Sequence, residues 1–326
     1  MSTTPVRPLD LRLRDALDAA AAGISRAPLA TSVDRLIGRY REGGAASAPI
    51  LGNATDVLAY ALYRMPATVA ACSNMLRHSA FRLPEIQTVT DLGGGTGAAA
   101  WAAHDKWPDA RITVLDQVGE ALQLGRQLRA AEPGVVDFER WQAGSPVPRA
   151  DLVTVSYVLS ELKQSAQQQL VAAAIGAAGR AIAIIEPGTP SGHQRILTAR
   201  QALLEAGWQV IAPCPHQADC PVRQPDWCHF SARVERSSVH RQLKGGELGH
   251  EDEKFSYVVA VPDGADVPER DGDSSRILRH PVKRKGLVEL QLCRPDGTAS
   301  RAVVTKRQGA AYKEARDVRW GDTWPL

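Results

Sequence analysis

The chain has 326 residues, of which 44% are hydrophobic and 23% are charged, with a formal net charge of +3. This length is sufficient for one large domain with an appendage, or for two domains, with ample apolar sequence for a buried core. No uninterrupted run of about 18 apolar residues is present, and residues 1–14 lack the apolar region of a signal peptide. We therefore expect a cytosolic protein that does not act at a membrane.

Charge is distributed unevenly along the chain. Residues 276–326 contain twelve Lys/Arg and five Asp/Glu, so this segment carries +7 and residues 1–275 carry −4. A basic carboxy-terminal segment favours a polyanionic partner, most simply a nucleic acid, although a solvated charged face has the same composition. The five cysteines are too few and too unevenly spaced for a secreted disulfide framework.

The first 85 residues are predicted to form a helical region. Leucine- and alanine-rich sequence with charges at helical spacing predicts helices over 9–23 and 31–40. A longer helix is predicted over 55–80, with a break at Pro66 because proline lacks the N–H that a helix interior uses. Cys72 lies among apolar residues of this helix and is predicted to be a core residue.

Residues 86 to about 212 alternate between strand and helix patterns, as a doubly wound parallel sheet requires, so the predicted fold class is α/β. The predicted strands are 88–92, 111–116, 151–157, 181–186, 208–212 and 257–261. The predicted helices are 98–106, 118–130, 164–178 and 192–205. Ligands in such sheets bind at the carboxyl ends of the strands.

Two segments interrupt this alternation. Residues 213–230 are rich in proline and cysteine and are predicted to be neither helix nor strand, and residues 262–275, rich in Asp, Gly and Ser, are predicted to be a linker. Residues 287–293 and 299–305 then form a predicted β-hairpin around an Arg-Pro-Asp-Gly-Thr turn. We therefore divide the chain into a helical region (1–85), an α/β domain (86–275) and a small basic β module (276–326).

A glycine-rich loop, Thr-Asp-Leu-Gly-Gly-Gly-Thr-Gly over residues 90–97, joins the first strand to a helix. Glycines at such a joint let the backbone approach a ligand, and the helix N-terminus offers free N–H donors. Gly93, Gly95 and Ala98 satisfy the dinucleotide fingerprint G-x-G-x-x-A. Asp116 lies about 20 residues further on, where a ribose-binding acid is expected. An NAD site is one interpretation of this pattern.

Asp91 favours S-adenosylmethionine instead, because a carboxylate just before the first glycine is expected to face the crevice and hold a cationic amine. The pattern Asp-x-Gly-x-Gly-x-Gly resembles motif I of class I methyltransferases, in which a second acid at the end of the next strand binds the ribose. Asp116 ends the second predicted strand and matches that position. The predicted cofactor-binding residues are Asp91, Gly93, Gly95, Gly97, Asp116 and Ser156.

Four of the five cysteines indicate a metal site. Cys214, Cys220 and Cys228 are six and eight residues apart, and Cys293 lies beyond the predicted linker. Structural zinc usually takes C-x₂₋₄-C pairs, whereas a bulkier iron–sulfur cluster accepts wider spacing, and the Cys-Pro steps at two of these cysteines match ferredoxin motifs. An iron–sulfur cluster is favoured and zinc is the alternative. A nucleophilic role for Cys214, as in cytosine-5 methyltransferases, is incompatible with ligation to a cluster.

In this combination of features the chain resembles the methyltransferase-like proteins associated with the small ribosomal subunit of bacteria and mitochondria. The resemblance covers most of residues 55–305 and rests on the glycine loop, the cysteine segment and residues 63–68, 151–162, 185–190, 251–257 and 281–286. It implies a Rossmann-like methyltransferase fold and a role at small-subunit ribosomal RNA during assembly. It also implies a [4Fe–4S] cluster with four ligands, which match Cys214, Cys220, Cys228 and Cys293.

No catalytic residue is predicted. Exocyclic-amine methyltransferases usually present Asn/Asp-Pro-Pro-aromatic after the fourth strand, whereas this chain has Ser-Tyr-Val-Leu over residues 156–159. Tyr157 could stack on a base, but the polar residue and the prolines are missing. Two hypotheses therefore remain, an RNA methyltransferase and a non-catalytic assembly factor that retains the methyltransferase fold.

Ribosomal RNA of the small subunit, or one of its assembly intermediates, is the predicted partner of a monomeric protein. Neutralisation of phosphates dominates the affinity of such contacts and makes it strongly dependent on salt. The predicted RNA-binding residues are Lys283, Arg284, Lys285, Arg301, Lys306 and Arg307.

Overall fold

The computed structural model describes residues 7–42, 53–236, 249–268 and 274–325. Three helices precede the first strand, as the sequence predicts. Asn53 caps the third of them, because its side chain accepts the backbone N–H of Asp56 at 3.0 Å. The helices are α1 (Leu9–Ala20), α2 (Arg26–Glu42) and α3 (Ala54–Ser79). Within the described ranges no helix has the length and apolar character needed to cross a bilayer.

The predicted break at Pro66 is wrong, because α3 continues through this residue. Proline inside a helix removes one backbone hydrogen bond. Its neighbours Met65 and Val69 are almost fully buried, so the packing of α3 is maintained on both sides of the proline. Burial of apolar side chains along the whole helix therefore outweighs the local loss.

The α/β domain is built on an eight-stranded sheet in the order β3-β2-β1-β4-β5-β8-β6, with β7 paired to β8. Strands β1 to β5 are parallel, and β8 is antiparallel to its neighbours. The strands are β1 (Thr88–Leu92), β2 (Arg111–Asp116), β3 (Val136–Arg140), β4 (Ala150–Ser156), β5 (Ala178–Pro187), β6 (Trp208–Ala212), β7 (Phe230–Glu235) and β8 (His250–Pro262). This is the Rossmann-like class I methyltransferase arrangement, which confirms the predicted fold class.

Helices cover both faces of this sheet. Residues of β5 and β8 alternate between two apolar clusters, one shared with α3 and α4 and the other shared with α6 and α7. This period of two is expected of strands buried on both faces. The helices that follow α3 are α4 (Ala98–Lys106), α5 (Gly119–Arg129), α6 (Gln164–Ala177) and α7 (Pro190–Glu205).

The cysteine segment leaves the sheet at one edge. Phe255 of β8 pairs with Pro187 on one side and with Phe230 on the other, so β7 follows β6 along the same edge of β8. Residues 213–229 connect these two strands and form neither helix nor strand, as predicted. The segment therefore projects from a fixed position between two paired strands.

A second, five-stranded sheet forms the carboxy-terminal part of the chain and has its own small apolar core. The predicted hairpin is confirmed with the bounds expected from the sequence. The elements are β9 (Ser275–Ile277), β10 (Val282–Arg284), β11 (Leu287–Cys293), β12 (Ala299–Thr305), α8 (Ala310–Asp317) and β13 (Thr323–Trp324). Of the predicted linker at 262–275, residues 269–273 lie outside the described residues.

Candidate functional site

The glycine loop connects β1 to α4 through three residues with positive φ. Gly93, Gly95 and Gly97 have φ of 67°, 56° and 85°, in the left-handed region that favours glycine. The backbone N–H of Gly93 donates to the carbonyl oxygen of Leu115 at 2.8 Å, which fixes the loop to the end of β2. A side chain at Gly97 would lie 3.1 Å from the ring of Phe138.

A cavity of about 130 Å³ opens at the carboxyl ends of β1, β2 and β4, beside the loop. Strand order reverses between β1 and β4, and ligands of doubly wound sheets bind at this switch point. The lining comes from the loop, from the ends of β2 and β4, and from α3. It includes Tyr60, Met65, Thr68, Gly93, Gly94, Gly95, Thr96, Asp116, Ser156, Tyr157 and Glu161.

Asp116 lines this cavity and is held by two backbone donors. Its Oδ2 accepts the N–H of Gly95 at 2.9 Å, and its Oδ1 accepts the N–H of Val118 at 2.8 Å. Burial raises the pKa of the carboxyl, and these hydrogen bonds oppose that shift. Each carboxylate oxygen retains a second lone pair, so Asp116 can still accept hydrogen bonds from a ligand.

Asp91 does not line the cavity. Its carboxyl is fully buried and accepts a hydrogen bond from Thr154 Oγ1 at 2.6 Å. Burial raises its pKa to about 7. A Cβ on Gly94 would lie only 2.3 Å from Asp91 Oδ2, so the carboxyl is packed against the loop backbone. Direct contact between Asp91 and a cofactor stays a prediction.

Glu161 is a cavity residue that the sequence reasoning did not select. It ends the 3₁₀ turn Leu159–Glu161 after β4, and among the described residues its side chain has no hydrogen bond or ion pair. Burial raises its pKa to about 7, with further contributions from Asp116 and Glu186. A carboxylate in this position can hold a cationic group. The only sequence signal was an acidic residue shortly after a strand that ends at the predicted site.

Tyr157 forms part of the cavity wall in an unusual backbone conformation. Its φ is 59°, which is strained for an aromatic residue. The hydroxyl donates to Glu253 Oε1 at 3.1 Å, and Arg64 donates to both oxygens of Glu253 at 3.1 and 2.9 Å. Burial and the nearby Glu253 raise the pKa of Tyr157 well above its ordinary value, so its hydroxyl remains protonated at neutral pH.

The four predicted cysteine ligands line one small cavity between α7, the cysteine segment and the second sheet. Burial raises the pKa of Cys228 well above its ordinary value, and Cys214, Cys220 and Cys293 raise it further, as expected for neighbouring thiols. The Nε2 of His216 lies 3.3 Å from Cys293 Sγ. The fold therefore brings the four cysteines together. Cys72, by contrast, lies within α3 and is buried in the core, as predicted.

Thiolates can hold more than one kind of metal centre. Across the described ranges, no three His, Cys, Asp or Glu side chains come together closely enough to hold one metal ion. Zinc requires its four thiolates within about 2.3 Å of a single point. In a [4Fe–4S] cluster each thiolate binds a different iron, so the sulfur atoms stand further apart. Four cysteine side chains around one cavity are a donor set that suits either kind of centre.

The predicted RNA-binding residues lie on the second sheet and are exposed. The N–H of Lys306 donates to the carbonyl oxygen of Gly286 at 2.8 Å, which places the turn after β12 beside the turn after β10. Five of the six cations are thus close together, while Arg301 lies along β12 and pairs with Glu289. This cluster of five comprises Lys283, Arg284, Lys285, Lys306 and Arg307.

Comparison with known proteins gives consistent matches. Human METTL17, a mitochondrial ribosome assembly protein, is 30% identical over 292 residues, which cover 82% of this chain and 62% of METTL17. The ribosome assembly protein RSM22 from mitochondria of Saccharomyces cerevisiae is 25% identical over 245 residues, covering 45% of this chain and 39% of its own. The chain thus spans less than two thirds of either relative. Both relatives are mitochondrial, which contradicts the expected cytosolic location.

Among solved structures, the magnesium protoporphyrin IX methyltransferase of Synechocystis with bound S-adenosylmethionine superposes with a TM-score of 0.40. It is 12% identical, and the match covers 80% of this chain and 100% of that one. This likeness is too weak to support the fold assignment, which rests on the strand order. The family model for mitochondrial small ribosomal subunit Rsm22 matches residues 54–325. Because this match extends over most of the sequence, the chain belongs to the Rsm22 family.

Proposed function

We propose that the chain is an S-adenosylmethionine-binding factor that acts on small-subunit ribosomal RNA during ribosome assembly and carries a [4Fe–4S] cluster. Membership of the Rsm22 family and the named roles of its mitochondrial relatives support the assembly function. The observation that carries the cofactor assignment is the cavity at the β1/β4 switch point, where the glycine loop and Asp116 meet. The same position binds nucleotide-like ligands throughout doubly wound folds.

Within this cavity the residues divide by chemistry. The backbone of Gly93 and Gly95 can approach the cofactor closely, Asp116 can accept the ribose hydroxyls, and Ser156 lies at the end of β4. Glu161 is a second candidate beside Asp91 for the partner of the cofactor amine, because its carboxylate lines the cavity and has no hydrogen bond or ion pair in the described part of the chain. When bound, S-adenosylmethionine supplies a methyl group for transfer to a nucleophile.

Methyl transfer and binding without transfer are the two versions of this proposal. Tyr157 can present a ring to a base, but its hydroxyl is held by Glu253 and cannot act as a base at neutral pH. The cavity is also lined by the carboxyls of Asp116 and Glu161, and both are assigned to the cofactor, one to its ribose and the other to its amine. The catalytic version therefore assigns no general base and requires a nucleophile aligned with the methyl group, whereas an assembly factor needs only the bound cofactor and the fold.

Calorimetric titration with S-adenosylmethionine tests the cofactor assignment. We expect Glu161→Gln to weaken binding about 10- to 100-fold, because a charge-assisted hydrogen bond contributes about 1.5–3 kcal/mol. Glu139→Gln is the matched control, since Glu139 is an exposed carboxylate on β3. Equal affinity of wild type and Glu161→Gln would refute the amine assignment. Failure of both to bind would refute the cofactor.

Transfer of a labelled methyl group to assembly intermediates of the small subunit separates the two versions. Wild type loaded with cofactor and cluster should label the RNA if the chain is an enzyme. If wild-type protein binds the RNA but never labels it, the non-catalytic version holds. Size-exclusion chromatography with light scattering tests the proposed monomeric state in the same preparation.

We assign the cluster to Cys214, Cys220, Cys228 and Cys293, with zinc as the alternative metal. Anaerobic purification followed by iron, sulfide and zinc analysis distinguishes them. We expect about four irons and four sulfides per chain. Stoichiometric zinc would overturn the cluster assignment and leave the fold unaffected.

A further inference from the structure

Two buried arginines line the cysteine cavity together with the four thiols. Arg200 comes from α7 and is 4% exposed, and Arg276 comes from β9 and is 5% exposed. Neither was selected from the sequence. Guanidinium groups stay protonated in proteins, so each of these side chains brings a positive charge into the interior.

Arg276 is surrounded by neutral acceptors. Its Nε donates to the carbonyl oxygen of Pro213 at 3.0 Å, its Nη1 to that of Gly321 at 2.6 Å, and its Nη2 to that of His78 at 3.4 Å. These carbonyls belong to the cysteine segment, to the turn before β13 and to the end of α3. Among the described residues no carboxylate forms an ion pair with Arg276.

Arg200 has the same kind of environment. Its Nη2 donates to the carbonyl oxygens of His216 and Ala218 at 3.1 and 2.8 Å. Its Nε is buried and has no hydrogen-bond partner in the described part of the chain. No carboxylate there pairs with it either. The nearby Arg279 differs, because it forms an ion pair with Asp226.

A cation removed from water without a counter-charge is strongly unfavourable, and carbonyl dipoles offset only part of that cost. Two such cations around one cavity would also repel each other. No Asp or Glu is among the described residues that line this cavity, so no side-chain carboxylate there balances them. The arrangement therefore lacks an anion inside the cavity.

We propose that Arg200 and Arg276 are the counter-cations of an anionic tetrathiolate metal centre held by the four cysteines. The inference rests on the proposed cluster. Four thiolates outweigh the charge of an oxidised [4Fe–4S] core by two, and the two guanidinium groups balance that excess. Arg276 also links the cysteine segment, α3 and the second sheet through its three hydrogen bonds, so the same side chain contributes to the packing of these elements.

The test uses the 326-residue chain reconstituted anaerobically with iron and sulfide. The variants are Arg200→Gln and Arg276→Gln, with Arg200→Lys and Arg276→Lys as charge-retaining counterparts. Arg233→Gln is the matched control, because Arg233 is an exposed arginine of β7 that pairs with Asp252. Circular dichroism of each apo protein establishes that it is folded, and the two arginines come from different elements, so each is an independent test.

The readouts are iron per chain and the reduction potential of the centre. We expect each Gln variant to lose at least half of its iron and to have a more negative potential, because a nearby positive charge stabilises the reduced cluster. The Lys variants should keep a potential near that of wild type. A role in packing alone would lower stability without this dependence on charge.

The outcomes separate the two proposals. Wild type without any metal would overturn both. Wild type with zinc would overturn the cluster, and faster loss of zinc to a chelator from the Gln variants would still support the counter-cations. Iron bound with the same occupancy and potential in wild type and both Gln variants would overturn the counter-cations and leave the cluster assignment in place.

Discussion

Gly94 is the middle one of three consecutive glycines in the loop, and it is needed there for a different reason from its two neighbours. Its φ is not in the left-handed region, unlike those of Gly93 and Gly95. A Cβ at Gly94 would instead lie 2.3 Å from Asp91 Oδ2 and 2.8 Å from Val114 Cγ1. The motif alone does not distinguish these two reasons for glycine, because one is a backbone conformation and the other is lack of space.

We expect Gly94→Ala to lower the free energy of unfolding by about 1–3 kcal/mol, the usual cost of an added methyl group in a tightly packed interior. Gly119→Ala is the matched control, because nothing lies within 4 Å of a Cβ at the first residue of α5. It should be neutral or stabilise by about 0.5 kcal/mol. Urea unfolding measures both. Equal stability of Gly94→Ala and wild type would contradict the packing of Asp91 against the loop.

Asp91 also makes a pH-dependent contribution to stability. Burial raises its pKa from 3.8 to about 7, so between these values the folded chain holds a proton that the unfolded chain has released. The free energy of unfolding then decreases as pH rises through this window, by up to about 1.4 kcal/mol per pH unit. We expect Asp91→Asn to remove this slope and to be more stable relative to wild type at pH 8 than at pH 5.

Thermal unfolding of both proteins across pH 4–8 measures the difference. Glu161 and Glu186, with pKa values also raised to about 7, contribute the same dependence to both proteins and cancel in the comparison. Asp137→Asn changes an exposed position on β3, so its thermal stability should vary with pH in the same way as that of wild type. If the stability of Asp91→Asn also varied with pH as that of wild type does, the Asp91 carboxyl would be solvated or ionised in the folded state.

At the level of elements, the sequence predicted the strands that have continuous apolar runs, whereas it missed β3 and β7 of the first sheet. The segments that became β1, β2 and β6 were predicted with their observed bounds. β3 was missed because only Phe138 of its five residues is buried, so its pattern is mostly polar. β7 was missed because it follows the proline-rich segment, and its place depends on pairing with β8, which is far away in sequence.

Cys293 belongs to the second sheet and lines the cavity of the cysteine segment, so it connects these two elements. It ends β11 and is 5% exposed. Serine is a poor ligand for iron or zinc, so Cys293→Ser should lower metal content, and loss of ligation should loosen the second sheet. Arg276 and the 3.3 Å ion pair between Arg77 and Asp322 should hold it in part.

Limited proteolysis within residues 262–275 measures the loosening. We expect faster cleavage in Cys293→Ser than in wild type when both are prepared with iron and sulfide, and equal cleavage when both are prepared with a chelator. Cys72→Ala is the control for loss of a cysteine, because Cys72 is buried away from the four ligands. Unchanged cleavage of the metal-loaded Cys293→Ser protein would contradict the connection.

For the whole molecule, the sequence located the sites but not their electrostatics. Residue spacing selected four cysteines that the fold brings to one cavity, and the motif selected a loop that borders another. Glu161, Arg200 and Arg276 could not be selected, because an unpaired charge becomes visible only when its neighbours in space are known. The glycine motif predicted contact between Asp91 and a ligand, and the packing of its carboxyl against the loop backbone is a further feature that the motif did not reveal.

The charge asymmetry of the chain leads to a prediction about the molecule as a whole. The cluster of five cations on the second sheet should bind RNA mainly by releasing counterions, so affinity should fall linearly with salt on a logarithmic scale. Changing Lys283, Arg284 and Lys285 to alanine should reduce that slope by about 2, since each phosphate contact contributes about 0.7–0.9. A titration of a small-subunit RNA fragment at several salt concentrations measures the slope.

The control for this triple variant must remove the same net charge from another surface. Arg111, Arg140 and Arg149 are exposed arginines of the α/β domain, and their replacement by alanine lowers the net charge equally. If the two triple variants reduced the slope by the same amount, only the total charge would matter and the second sheet would have no special role. A loss confined to the Lys283, Arg284 and Lys285 variant would place the RNA on this surface, because counterions are released only where phosphates and cations meet.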